Sequence, residues 1–224
     1  MTRDRTETVT LSAFVYNTIK EDLLDGRYQP GQRIVIDELT QQLDVSKQPV
    51  MEALRLLSAE RLVAIVPQVG CRVMQYDIRE ITDFLTAFAS MEAVVAALAA
   101  ERRTTEQLQR AEEILSQMPA ARALTERAEA ARQSRQINRE FHSLIHEMAD
   151  APLVASVSGA MWDLRDFIVR STHRHRIDQM VVQFDEDHLA LHAAIELRNG
   201  ALAAAEIQHH ILGFLAYVDR PGSD

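Results

Sequence analysis

The sequence predicts a mainly α-helical protein built in two parts, residues 1–76 and residues 77–224. Three observations carry this reading. Apolar residues recur at spacings of three and four along most of the 224-residue chain. The two strand-like runs, residues 62–66 and 71–74, stand together just before residue 76. Charge and histidine change at the same place: residues 1–76 carry 9 basic and 10 acidic side chains, the remainder 15 and 23, and all eight histidines lie at or beyond His142.

The first part is read element by element. Leu11, Phe14, Val15, Ile19, Leu23 and Leu24 keep helical spacing over 10–24, with Thr10 as a candidate N-cap. Residues 26–31, with Gly26, Pro30 and Gly31, form a turn. A short helix over 36–43 follows, Asp44 and Val45 make a tight connection, and Ser46 is placed to cap the next helix. Pro49 falls in that helix's first turn, where its missing N–H costs nothing, and Val50, Ala53, Leu54 and Leu57 carry it to about residue 60. The two strand-like runs flank a turn at 67–70. Helix, helix, tight turn, helix and hairpin is the order of a winged helix-turn-helix, in which the third helix reads a DNA groove and the hairpin is the wing.

The second part reads as an antiparallel bundle of about six helices. Asp77 with Glu80, and Thr104 with Gln107, have capping-box spacing before apolar runs. Pro119 separates one helix from a long one over 121–149, and Asp150-Ala151-Pro152 breaks and restarts the chain. Further helices are expected over 152–171 and 179–198, then a stop at Asn199-Gly200 and a last helix to about residue 217.

Composition excludes several classes. A single cysteine, Cys71, rules out an intrachain disulfide and suits a reducing cytoplasm. No apolar run reads as a bilayer span, since the Ala-rich stretch 93–100 is short and bounded by Glu92 and Glu101, and the polar N-terminus does not read as a signal peptide; no membrane is expected as partner. There is no HExxH, phosphate loop or dinucleotide turn. A di-iron bundle needs Glu-x-x-His on two helices, but Arg139 stands three residues before His142 and Asp185 three before His188. The chain is therefore not read as an enzyme.

Residues 32–57, QRIVIDELTQQLDVSKQPVMEALRLL, followed by Leu62-Val63, Pro67-Gln68-Val69-Gly70 and Val73, resemble the helix-turn-helix of the GntR family of bacterial transcription regulators. Asn138 and His142 in NREFH, His188 followed by Ala194-Ile195, and His210 are similar in order and spacing to the FCD effector domain of the FadR branch. A count of six helices rather than seven looks closer to the VanR-like subgroup. The resemblance implies a homodimer that binds an inverted repeat in double-stranded DNA, with the affinity set by a small-molecule effector. The DNA-contact set expected is Arg33, Ser46, Lys47, Gln48, Met51, Arg55 and Gly70. Three positions depart from the family: Asp37 and Met51 stand where Arg is frequent, and Val69 where the wing often has Arg or Lys. A metal-binding helical protein, or a protein-interaction module with degenerate DNA binding, is the alternative these departures leave open.

Spacing brings part of a histidine site together. His188 and His210 each lie 11 residues from Asn199, so an antiparallel pair of helices turning there holds both at one level. Asn138 and His142, four apart, share a helix face. Neutral imidazoles suit a divalent transition metal, zinc or nickel first. The family resemblance implies that Asn138, His142, His188 and His210 hold that metal, with Asn138 in place of the usual Asp and hence a weaker centre. It also implies that Phe88, where relatives carry an Arg, lines a ligand cavity, to which we add Glu92, His146, Arg165 and His192. Trp162 is read as core, His209 as pointing elsewhere, and His173 and His175 as a solvated basic turn.

Overall fold

A computed structural model describes residues 2–66, 70–172 and 177–217. The expected turn at 67–69 and the histidines at 173 and 175 lie outside them. The chain forms two compact units. The first comprises Met1–Asp77 with Trp162–Thr172, the second Ile78–Met161 with His173–Asp224.

In the first unit, helix α1 (Thr2–Leu24) packs on α3 (Lys47–Ala59), and α2 (Ile36–Leu43) sits against α3. The periodic residues of each helix meet in one core: Val15, Ile19, Leu23 and Leu24 with Leu39, Val50, Ala53, Leu54 and Leu57. Between α2 and α3, Asp44 adopts a left-handed conformation (φ 51). Val45 N–H then returns to Thr40 O at 3.1 Å, closing the tight turn of the motif. Ser46 occupies the N-cap position of α3, but its side chain makes no capping bond.

The hairpin is β2 (Val63–Val66) and β3 (Gly70–Val73). A third strand, β1 (Arg33–Ile34), joins β3, giving the antiparallel order β1-β3-β2. Two residues are too short for periodicity to reveal, and β1 is absent from the sequence reading for that reason. Cys71 is buried in this sheet, and burial pushes its thiol up to about 11, so it is a neutral packing side chain.

The second unit is built around α4 (Ile78–Arg102), which packs against α7 (Arg127–Ala149), α9 (Ile177–Glu196) and α10 (Gly200–Gly213). Contrary to the sequence reading, α4 is long and apolar enough by composition to cross a membrane. Its apolar residues Ile81, Leu85, Phe88, Val95, Ala96 and Ala99 are instead buried inside this unit. Gly200 packs so closely on α4 that a Cβ there would stand 3.3 Å from the carbonyl oxygen of Ala97. The capping box at α5 (Thr105–Leu115) is present in both directions, Gln107 N–H to Thr104 Oγ1 at 3.2 Å and Thr104 N–H to Gln107 Oε1 at 2.9 Å.

Among the described residues the C-terminal part carries seven helices, because the chain around Pro119 forms a one-turn helix, α6 (Met118–Arg122). The count on which the VanR-like expectation rested is therefore seven, not six. The stop after α9 is also placed differently. Arg198 takes the left-handed conformation (φ 53), and Asn199 instead caps α10, its Oδ1 accepting from Leu202 N–H at 3.1 Å. Helix α8 (Pro152–Thr172) begins in the second unit and ends in the first.

Candidate functional site

The first unit gathers most of the expected DNA-contact residues on α3 and the sheet. Arg33, Lys47, Met51 and Gly70, with Ile34, Val35, Ile36 and Asp37, line a hollow of about 240 Å³. Gly70 holds φ 112, a backbone conformation that a side chain would strain although a Cβ there would only touch Arg33 Nε at 3.7 Å, so glycine is required at the base of the wing by its backbone. Gln48 and Arg55 are exposed on α3, and Gln48 Nε2 lies 3.4 Å from Glu52 Oε1.

Two features of this face escaped the sequence reading. Lys47 Nζ is paired with Asp37 Oδ1 at 2.7 Å, both side chains being well exposed. Arg72, opposite Arg33 in the β1–β3 register, is also exposed, so two like charges face each other across antiparallel strands. Such a pair costs stability unless an anion lies over it. The alternation of β3 (Cys71 in, Arg72 out, Val73 in) was the available signal.

In the second unit three helices bring three imidazoles together. His142 of α7, His188 of α9 and His210 of α10 are 2%, 3% and 1% exposed. Ring centroids lie 5.2 Å (His142–His188), 5.3 Å (His142–His210) and 4.5 Å (His188–His210) apart, and one nitrogen from each ring falls within 4.8 Å of the others. His188 Nε2 is 3.3 Å from His142 Nε2 and 3.0 Å from Asn138 Oδ1. Phe141 stands edge-on to both His142 and His188 and walls the cluster.

One of these distances, His142 Nε2 to His188 Nε2, has the separation a shared metal would require. A tetrahedral ion about 2.05 Å from each nitrogen requires nitrogens about 3.3 Å apart. Two facing ring nitrogens at that separation need a proton or a cation between them. Behind His210 sits a side chain the sequence reading passed over. Asp187, 5% exposed, places Oδ2 3.4 Å from His210 Nδ1, while its Oδ1 lies 3.8 Å from the exposed His209 Nε2. Its place directly before His188 was the only signal.

The expected cavity residues have the following surroundings. Phe88 is fully buried and stacks on Phe84 at 5.8 Å. Glu92, 1% exposed, accepts from Ser158 Oγ, and His146 Nε2 is 3.1 Å from both of its carboxylate oxygens. His192 lines a groove of about 360 Å³ with Leu115, Met118, Arg122 and Asp185, a groove that none of the three clustered histidines lines. Arg165 belongs to the first unit, where it pairs with Asp166 at 3.1 Å and lies over the buried Trp162 ring.

A winged helix-turn-helix followed by a helical domain with a buried polar centre defines a ligand-responsive DNA-binding regulator. Comparison with known proteins gives the family. "Bacterial regulatory proteins, gntR family" matches residues 11–73 and "FCD domain" matches residues 83–213. The chain is 28% identical over 207 residues to the HTH-type transcriptional repressor GlaR of Escherichia coli K12, covering 88% of this chain and 90% of that protein. It is 27% identical over 154 residues to the regulator McbR of the same organism, covering 69% and 68%. Among solved structures, E. coli McbR/YncC superposes with a TM-score of 0.76 at 22% identity, covering 92% of this chain and 97% of that one. A GntR regulator of Rhodococcus sp. RHA1 gives 0.74 at 18%, covering 92% and 96%. The chain belongs to the GntR family of bacterial transcription regulators and carries an FCD effector domain.

Proposed function

We propose that this regulator is a cytoplasmic homodimer without enzymatic activity that reads an inverted repeat, its recognition helices about one DNA turn apart. The DNA-binding and effector domains divide at residues 76 and 77, and the helical domain supplies the dimer interface. Repression is the sign we propose, because GlaR and RspR among the relatives are named repressors. The observation that carries effector control is the cluster of three buried imidazoles on three different helices. His142, His188 and His210 would hold a divalent metal, zinc or nickel, with the Asn138 amide oxygen as the fourth donor. When bound, the ion supplies a Lewis-acidic position for an oxygen of the effector. Because the three imidazoles come from three helices, loading the centre fixes α7, α9 and α10 relative to one another, and this biases the placement of the two recognition helices.

The pairing of Lys47 with Asp37 favours the second reading, a helical binding module with degenerate DNA function. One experiment separates the two. Purified full-length protein is used to select sites from random duplex DNA at low and moderate salt, with and without zinc. Enrichment of an inverted repeat is expected. Failure to enrich any sequence at low salt, with or without zinc, overturns the regulator reading in favour of the module.

A further inference from the structure

We propose that Asp187 is the positioning carboxylate of the histidine centre, supplying from behind His210 the negative charge that Asn138 does not. The proposal rests on the metal reading of the cluster. Three neutral imidazoles and an amide oxygen bring no charge to a divalent ion, and an uncompensated charge is costly in a buried site. Asp187 is a buried carboxylate beside this cluster. It lies 5% exposed with Oδ2 3.4 Å from His210 Nδ1, in a place where the ring is 1% exposed.

One residue on a helix turns about 100°. Asp187 can therefore reach His210 on α10 while its neighbour His188 faces Asn138 and His142. An imidazole whose Nδ1–H donates to a carboxylate keeps its lone pair on Nε2 and its ring in one orientation. Nε2 of His210 is itself buried, and the ring centroid lies 4.5 Å from that of His188 and 5.3 Å from that of His142, so the nitrogen fixed as a lone pair is the one not engaged by Asp187, on a ring that belongs to the cluster. Asp187 thus sets the tautomer and basicity of one ligand and lowers the net charge of the loaded centre without touching the ion.

The test compares the full-length wild type with Asp187→Ala, Asp187→Asn and His142→Ala. Zinc affinity is read by competition with a chromophoric chelator, and the His210 tautomer of the metal-free protein by long-range ¹H–¹⁵N correlation. Asp187→Ala should weaken zinc about 10- to 100-fold, as loss of an outer-shell partner does, and release His210 from the Nδ1–H form. Asp187→Asn, which can keep one acceptor oxygen facing His210 while the charge is lost and the other oxygen becomes an amide donor, should retain the tautomer and lose less affinity. If Asp187→Ala does not fold, the isosteric Asn variant carries the test, with the wild-type spectrum required to show Nδ1–H. Zinc binding unchanged in these variants but lost in His142→Ala overturns the role of Asp187 and leaves the metal reading standing. A wild type that binds no zinc overturns the metal reading and this role with it.

Discussion

Lys47 stands at the start of the recognition helix, and its ammonium is 2.7 Å from the carboxylate of Asp37. Both side chains are largely exposed, so the pair adds little to stability. Its consequence is for binding, because a phosphate must compete with Asp37 for the same cation. Asp37→Asn should therefore tighten binding to duplex DNA several-fold and steepen its salt dependence. Lys47→Ala should weaken binding and flatten the log–log salt slope by about one unit. Fluorescence anisotropy across a KCl series reads both, and equal slopes in all three proteins would remove Lys47 from the interface. Arg72 makes a companion case. It faces Arg33 in the register of the strands and donates to the carbonyl oxygen of Gly31 at 3.1 Å, an exposed bond that adds little to stability. Arg72→Ala should lower DNA affinity several-fold with no fall in melting temperature, and a loss of stability with unchanged affinity would make Arg72 structural instead. The sequence motif identifies Lys47 and the sign of Asp37. It cannot show that they meet, because the tight turn at Asp44 brings together residues ten apart.

At the scale of elements, α8 is one helix with two sets of partners. Its Ser158 is bonded to Glu92 in the second unit, and its Asp163 lies 2.6 Å from Lys20 of α1 in the first. Five residues separate them, about 7.5 Å along the axis and about 140° around it. Lys20 also meets Glu60 Oε2 at 2.8 Å and Tyr16 Oη at 2.7 Å. Burial alone would lower the Lys20 pKa, but the bonds to Asp163, Glu60 and Tyr16 outweigh it and raise the value. A raised lysine gives its full stabilisation below its unfolded pKa, about 10.4, and loses it only as pH rises through the folded value. The contribution is therefore constant from pH 6 to 9. Lys20→Met should destabilise the first unit by about 1.5–3 kcal/mol, the range for hydrogen bonds to charged groups, equally at both ends of that window. Trp162, the single tryptophan and the residue before Asp163, reports this unfolding by its fluorescence. A variant as stable as the wild type would show that the cluster is not holding α8. Such a cluster is invisible in sequence, since its four residues come from α1, the end of α3 and α8. Periodicity fared well for the long helices and for the box at Thr104, where local spacing decides the outcome. It fared worse at β1, which depends on a distant partner strand, and at Asn199, where two adjacent residues compete for the left-handed position.

For the whole molecule, the question is whether the histidine centre and the DNA-reading face share an energy. The spacing of His188 and His210 about Asn199 places these residues at one level, and their rings lie 4.5 Å apart. What spacing could not supply was the pairing of Glu92 with His146 and Ser158, and the place of His192 in a groove that none of the three clustered histidines lines, since these depend on contacts between distant helices. Coupling between the sites is a free energy, and linkage makes it reciprocal: if zinc changes operator affinity by some factor, operator must change zinc affinity by the same factor. We expect a factor in the range of about 5–150, usual for allosteric pairs, measured as operator affinity with and without saturating zinc and as zinc affinity with and without operator. A factor of one in both directions would make the centre a structural clamp within the helical domain. Asn138→Asp then sharpens the result. A carboxylate binds a divalent ion more strongly than an amide, so zinc affinity should rise at least about tenfold while the coupling factor stays fixed, because the substitution acts on the ligand set and not on the equilibrium between DNA-competent arrangements. If the factor changed with the affinity, position 138 would itself be part of the moving element, and α7 the helix that carries the signal.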